Sequence, residues 1–246
     1  MTIQIIPVQI SKDVQEHDNI VDLILSSPSK PEIQDKDIVV ITQKIISKQE
    51  GCIVNLSKVK PSLLATGIAS EYEKDPRIVQ LILDQSKRII RMNNGIIIVE
   101  TLQGLVCANA GVDESNVKDG YVTLLPKNAD ESAKKLQQEI LQKTGKNVAV
   151  MISDTFGRPF REGQTNSAIG VSGISPIIDY VGTKDAFGKT LHVTAISVAD
   201  EICSATELVM GKALQTPIAL VRNYTFSNSN GSVKDLIRKR STDLFR

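Results

Sequence analysis

Apolar positions along the chain follow two periods. Short β-branched runs predict strands at Ile3–Val8, Asp37–Thr42, Ile96–Val99, Leu105–Ala108, Val148–Ile152, Leu191–Val198 and Pro217–Val221. Helical spacing marks Asp18–Leu25, Asp130–Thr144 and Ala199–Lys212. Two more helices open at Pro61-Ser62 and at Asp75-Pro76, the latter with proline in its first turn. Asp130 reads as the N-cap of its helix and Gly145 as its stop, with Ala133, Leu136, Ile140 and Leu141 facing the core. Asn93-Asn94-Gly95 and Gln103-Gly104 are turn signals, and the second joins a hairpin. The tail from Ser232 to Arg246 is charged and helical in pattern. This order is not a clean βαβ repeat. It predicts an α+β fold, with mixed sheets and flanking helices, over residues 1–246 as one domain with a candidate seam at Lys127–Asp130.

Three predicted strands run directly into polar clusters. Gln43, Lys44, Ser47 and Lys48 follow the second strand, and Asn109, Asp113, Ser115 and Asn116 follow the hairpin. The Val148–Ile152 run gives way to an expected loop holding Ser153, Asp154, Thr155, Gly157, Arg158, Pro159 and Arg161. In sheets covered by helices, ligands collect at such an edge. Asp113 and Asp154 could hold a hard cation, the lysines could neutralise phosphate, and Arg158 and Arg161 could clamp an anionic substrate. That set suits phosphoryl transfer, provided the clusters converge. Each cluster also has a plain reading: Lys44 and Lys48 as a solvated face, Asp113 as an Asx-turn or helix cap, and Asp154 and Thr155 as a turn beside solvated arginines. Glu207 and Lys212 read as an exposed helix face, and His17 and His192 as surface or structural residues.

Composition narrows the classes. A net charge of +1 gives no basic field, and 4% aromatics without tryptophan give no stacking platform, so nucleic acid is not an expected partner. Cys52, Cys107 and Cys203 form no CxxC pair and read as buried small hydrophobes in a reducing compartment. The start of the chain lacks the pattern of a signal peptide, and no apolar run approaches the length of a membrane span; the expectation is a cytoplasmic protein with no membrane partner. Neither GxGxxG nor the Walker-type phosphate loop is present.

Long, unusual segments then carry a resemblance. QKIISKQEG (43–51), KDPRIVQLIL (74–83), CANAGVDESNV (107–117), ISDTFGRPFREGQTNSAIGVSGI (152–174), DYVGTKDAFGKTLHVT (179–194) and ADE…ELVMGK (199–212) are similar, in order and spacing, to coenzyme F420-0:L-glutamate ligases. The resemblance implies a mixed α/β fold assembled as an intertwined homodimer. It also implies an enzyme that uses GTP to join L-glutamate to the lactyl carboxylate of coenzyme F420-0 and extend a gamma-linked tail. Two divalent cations per site, Mg2+ or Mn2+, are implied, with K+ a further candidate. By position, Asp113, Asp154 and Thr155 become metal ligands, and Ser11, Lys12, Asp13, Val14, Gln43, Lys44, Lys48, Asn116, Met210, Gly211 and Lys212 become nucleotide contacts. Arg158 and Arg161 match the GRPFR pattern and are assigned to the anionic substrate. A C-terminal nitroreductase-like domain, present in some relatives, is not expected here.

The chain also departs from the family pattern. A usual Gly-Asp-Asp-Leu run is replaced by Glu16-His17-Asp18-Asn19-Ile20, a His-Gly turn by Gln103-Gly104, and a terminal Arg-Gly by Arg222-Asn223. The first of these bears on nucleotide contacts near Ser11–Val14. Two rival classes share the same residues: a ligase or phosphohydrolase acting on another substrate, and a non-catalytic nucleotide- or deazaflavin-binding paralogue.

Overall fold

The computed structural model describes residues 2–212 and 214–245. Its strands are Gln4–Val8 (β1), Ile38–Thr42 (β2), Ile53–Asn55 (β3), Ser86–Asn93 (β4), Ile96–Thr101 (β5), Val106–Ala108 (β6), Tyr121–Thr123 (β7), Ala149–Arg158 (β8), Arg161–Ser172 (β9), Ile178–Asp179 (β10), Ala195–Ile196 (β11) and Ile218–Arg222 (β12). Its α-helices are Ile20–Leu25 (α1), Gln43–Gln49 (α2), Leu63–Glu71 (α3), Pro76–Asp84 (α4), Ala129–Thr144 (α5) and Val198–Met210 (α6).

A five-stranded sheet in the order β1-β12-β2-β8-β9 forms the centre, with β2 and β8 parallel and the other neighbours antiparallel. The two parallel strands, IVVI and AVMI, are apolar without interruption because both of their faces are covered. Alternate residues sort the two cores. Val39, Ile41, Val150 and Ile152 pack with Ile20 and Ile24 of α1, Ile45 and Ile46 of α2, and Leu136 and Ile140 of α5. Ile38, Val40, Ala149 and Met151 pack on the other face with Val198, Ala199, Ile202, Cys203 and Met210 of α6. A third core joins α3 and α4 to the sheet β4-β5-β6 through Ala65, Ile68, Val79, Ile82, Ile97 and Val99. The sheets are mixed and the helices flank them, as expected.

Several local expectations are corrected. The segment after Ile152 is not a loop: β8 continues to Arg158 and returns as β9 around Pro159-Phe160, forming a hairpin that outruns the rest of the sheet. Gln43 and Lys44, expected as the polar end of the second strand, instead open the helix Gln43–Gln49. Ser86–Asn93 is a strand where only the following turn was expected. Of Leu191–Val198, only Ala195–Ile196 pairs as a strand. The residues before it turn on themselves, with Asp185 accepting the backbone N–H groups of Phe187 and Lys189. The tail holds two short 3-10 turns, Val233–Leu236 and Arg240–Thr242, in place of a helix.

Helix α5 is capped two residues before its expected cap. Asn128, not Asp130, is the N-cap and accepts the Glu131 N–H at 3.2 Å. Asp130 instead ties the tail to the sheet, accepting the Val171 N–H at 2.8 Å and the Ser232 hydroxyl at 2.6 Å. Gly145 ends the helix in the left-handed conformation, as expected, whereas Leu141 lies exposed. The helix start lies so close to β9 that a Cβ on Gly170 would stand 2.5 Å from the Ala129 backbone. No helix among the described residues is long and apolar enough to cross a membrane.

Candidate active site at the ends of β2 and β8

Parallel pairing sets Thr42 opposite Ser153, so the residues that follow each strand emerge side by side. From β2 come Gln43, Lys44, Ser47 and Lys48 on α2; from β8 comes Asp154. The third cluster is brought in by an isolated bridge between Asp113 and Thr123, which brings the residues after β6 alongside β7. Lys44 then closes the gap. Its ammonium donates to Asp113 Oδ2 at 2.5 Å and to the carbonyl and hydroxyl oxygens of Ser115 at 2.6 Å each. Asp113, Lys44 and Lys212 all act on the charge of Asp154, so the two carboxylates lie within electrostatic reach of each other.

The two acids are tuned in opposite directions. Burial pushes Asp113 up, but the Lys44 ammonium and the Ser115 N–H prevail and hold its carboxyl below the usual range. Asp154 is half-buried, and among the described residues no ammonium is paired with it. Burial pushes it up to about 6. The Thr155 N–H lowers it, the Asp113 charge raises it, and the Lys44 and Lys212 charges lower it. The Cys107 thiol, pushed up to about 12 by burial and then by Asp154, stays protonated and is no nucleophile.

The raised carboxyl gives a pH dependence of known sign. Unfolded, the group titrates near 3.8; folded, near 6. The folded state holds the proton more tightly, so the stabilising contribution is complete below about pH 4 and is lost as pH rises through about 6. Measured by urea titration without added cations or nucleotide, Asp154→Asn should therefore gain on the wild type between about pH 4 and pH 7. A stability difference that stays flat across that range would show that the carboxyl is not held in this state.

The alternative of a solvated face for Lys44 and Lys48 does not hold: their side chains are 16% and 8% exposed. Lys48 donates to Asp13 Oδ1 at 2.6 Å, which draws the Ser11–Val14 segment to α2, and Lys12 pairs with Asp18. Val14 and Met210 have their side chains in the two cores, so only their backbones can meet a ligand. Gln43 is buried and spends its amide on the Ser47 hydroxyl and the Leu124 carbonyl. Asn116 is exposed, with a backbone φ of 55°. Arg158 and Arg161 face each other at the hairpin tip. Arg158 is four residues past Asp154, about 13 Å along a strand, so within one chain the arginines stand apart from the carboxylates. Arg158 bonds the Glu162 carbonyl at 2.7 Å, and its Nε is buried without a partner. Phe160 at the tip meets Phe245 of the tail, ring centres 5.5 Å apart.

Thr155 points away from Asp154, as successive strand residues do, and faces α6. Lys212 donates to its hydroxyl oxygen at 2.7 Å, and the hydroxyl donates to Asn166 Oδ1 at 2.7 Å. Asn166 in turn donates to Glu207 Oε2 at 3.0 Å. Glu207 and Lys212 thus belong to a network and not to an idle helix face. Asn166 was missed entirely by the sequence reading; its cross-strand register with Thr155 was the signal, visible only once the hairpin is known.

The donor set is one of hard oxygens, suited to Mg2+ or Mn2+: the carboxylates of Asp113 and Asp154. Among the described residues no group of three or more His, Cys, Asp or Glu could enclose a metal. Mg2+ needs no such cage, being held in many sites by one or two carboxylates plus substrate phosphates. A cleft of about 670 Å³ between the start of α5, the end of β9 and the tail contains none of the clustered residues and is not this site.

The model of the family described as F420-0:Gamma-glutamyl ligase matches residues 10–223, which span all of these clusters. Coenzyme F420:L-glutamate ligase of Methanothermobacter thermautotrophicus is 45% identical over 251 residues, covering 100% of both chains. The protein of the same name from Methanocaldococcus jannaschii is 46% identical over 232 residues, covering 94% of this chain and 91% of its own. The one from Methanopyrus kandleri is 39% identical over 250 residues, covering 100% and 98%. With the match running through the whole fold and every element of the site, the chain belongs to the F420-0:gamma-glutamyl ligase family.

Proposed function

We propose that this protein joins L-glutamate to the lactyl carboxylate of coenzyme F420-0 and lengthens the gamma-linked tail, consuming GTP. The observation that carries the reading is the meeting of Asp113, Lys44 and Asp154 at the ends of two parallel strands. The names of the relatives, coenzyme F420:L-glutamate ligase, supply the substrates. Asp113 and Asp154 would hold the divalent cations, Mg2+ or Mn2+ and two to a site, with Thr155 beside the second and K+ a further candidate. Bound there, the cations would neutralise charge developing on the phosphates.

The chain's own residues account for the rest. Lys44, Lys48 and Lys212 surround the site with ammonium groups that can move from Asp113, Asp13 and Thr155 to phosphate oxygens. The lactyl carboxylate attacks the γ-phosphorus, the bond from that phosphorus to the bridging oxygen breaks, and GDP leaves with the electron pair. The resulting acyl phosphate is attacked at its carbonyl carbon by the glutamate amine. Phosphate departs, the amine proton passes to solvent, and an amide remains. No side-chain nucleophile is required, consistent with the inert Cys107. Arg158 and Arg161 are assigned to the anionic substrate, and a homodimer would bring one chain's hairpin tip toward another's site.

Incubation with F420-0, glutamate, GTP and Mn2+ should give a product heavier by one or more glutamyl residues in mass spectrometry. Phosphate release with no mass change in F420-0 would point to a phosphohydrolase. Tight nucleotide binding with neither product would point to a non-catalytic paralogue. Either outcome overturns the reading.

A further inference from the structure

We infer that Asn166 is a positioning residue, which fixes the Thr155 hydroxyl and Glu207 so that the Lys212 ammonium is held at the mouth of the site. The inference rests on the nucleotide-site reading above and goes beyond it, since Asn166 faces no ligand itself. It is 2% exposed, sits directly across the hairpin from Thr155, and has its polar groups committed in defined directions. Its carbonyl oxygen accepts the Thr155 hydroxyl proton at 2.7 Å, and its amide donates to Glu207 Oε2 at 3.0 Å. Its backbone carbonyl accepts the Ser204 hydroxyl at 2.8 Å, which fastens the strand to α6.

These directions have a consequence for Lys212. Because the Thr155 proton is taken by Asn166, the hydroxyl lone pairs turn outward, and one of them accepts the Lys212 ammonium at 2.7 Å. Glu207, oriented by the same amide, lies 3.3 Å from that ammonium on its other side. The lysine side chain is 66% exposed and would otherwise roam through its rotamers. A buried amide thus converts a solvent-exposed lysine into a placed charge. Outer groups that orient a metal ligand matter about tenfold or more when removed, and the same scale is expected for a lysine placed in this way.

The test is GDP affinity without added cation, so that the place assigned to Thr155 beside a cation does not enter, by titration calorimetry with thermal melts recorded alongside. Asn166→Ala should weaken GDP about tenfold. In a Thr155→Val background the same change should cost less than about twofold more, because the link it acts through is gone. Thr155→Ser, which keeps the hydroxyl, should restore affinity to within about twofold of wild type, and this comparison stands even if Asn166→Ala folds poorly. Equal losses from Asn166→Ala in both backgrounds, or a Thr155→Val affinity equal to that of Thr155→Ser, would overturn the positioning role. Lys212→Ala separates the two levels. If it weakens GDP about tenfold while the cycle shows no coupling, only the inference fails; if GDP affinity ignores Lys212, the reading beneath it fails as well.

Discussion

Asp154→Asn is expected to reduce GTP-dependent glutamyl transfer by about 10³-fold or more while leaving the fold intact. The magnitude follows from charge: a bound divalent cation supplies several kcal/mol of stabilisation to a phosphoryl-transfer transition state, and each 1.36 kcal/mol is a decade in rate. An asparagine offers one neutral oxygen where the carboxylate offered two charged ones. The fold should survive because the amide oxygen can still accept the Thr155 N–H, now bonded to Asp154 Oδ1 at 2.8 Å. The variant should in fact be more stable than wild type near neutral pH, since it no longer holds a charged group that burial has pushed up to about 6. Activity loss with raised stability separates a functional carboxylate from a structural one. Turnover within about tenfold of wild type would remove Asp154 from the reaction.

The position of this acid was legible in the sequence because of where two apolar runs stop. IVVI and AVMI are buried on both faces, so the polar residues after each had to emerge at an edge, and parallel pairing made it the same edge. The extent of β8 was not legible. Beyond Ser153 the hairpin outruns the helices that cover the sheet, loses its apolar alternation, and reads as a loop. Asn166 was hidden for the same reason, its partners lying 11 and 41 residues away in sequence. Asn128 and Asp130 are both good caps two residues apart, and only the docking of the tail decides that Asp130 is spent on Ser232 and Val233. The alternative of a solvated face shared by Lys44 and Lys48 could be set aside only because α2 is short and buried, with Asp13 laid against it.

Arg222→Ala is expected to destabilise the protein by about 3–5 kcal/mol, the cost of leaving a buried charge without its partner. For a chain of this size that is a fall in Tm of about 6–20 °C. Asp37 at the start of β2 is 1% exposed, and Arg222 at the end of β12 meets both of its oxygens, Nε at 3.0 Å and Nη2 at 2.8 Å. The Gln34 N–H is the other donor to this carboxylate, at 2.9 Å. Arg222 also bonds the Glu32 carbonyl, so alanine removes the tie between the approach to β2 and the neighbouring strand. Replacing both partners, Asp37→Leu with Arg222→Leu, should recover most of the loss, because a buried pair is worth far less than the penalty for breaking it. A single-variant loss below about 1 kcal/mol in urea titration would show that water reaches Asp37 once the arginine is gone. The contrast with the opposite end of β2 is physical. At Asp37 a planar guanidinium and a backbone N–H satisfy the carboxylate completely, and the result is a fastening. At the other end two carboxylates meet one lysine, Asp113 takes it, and Asp154, without an ammonium bonded to it, is pushed up to about 6 by burial.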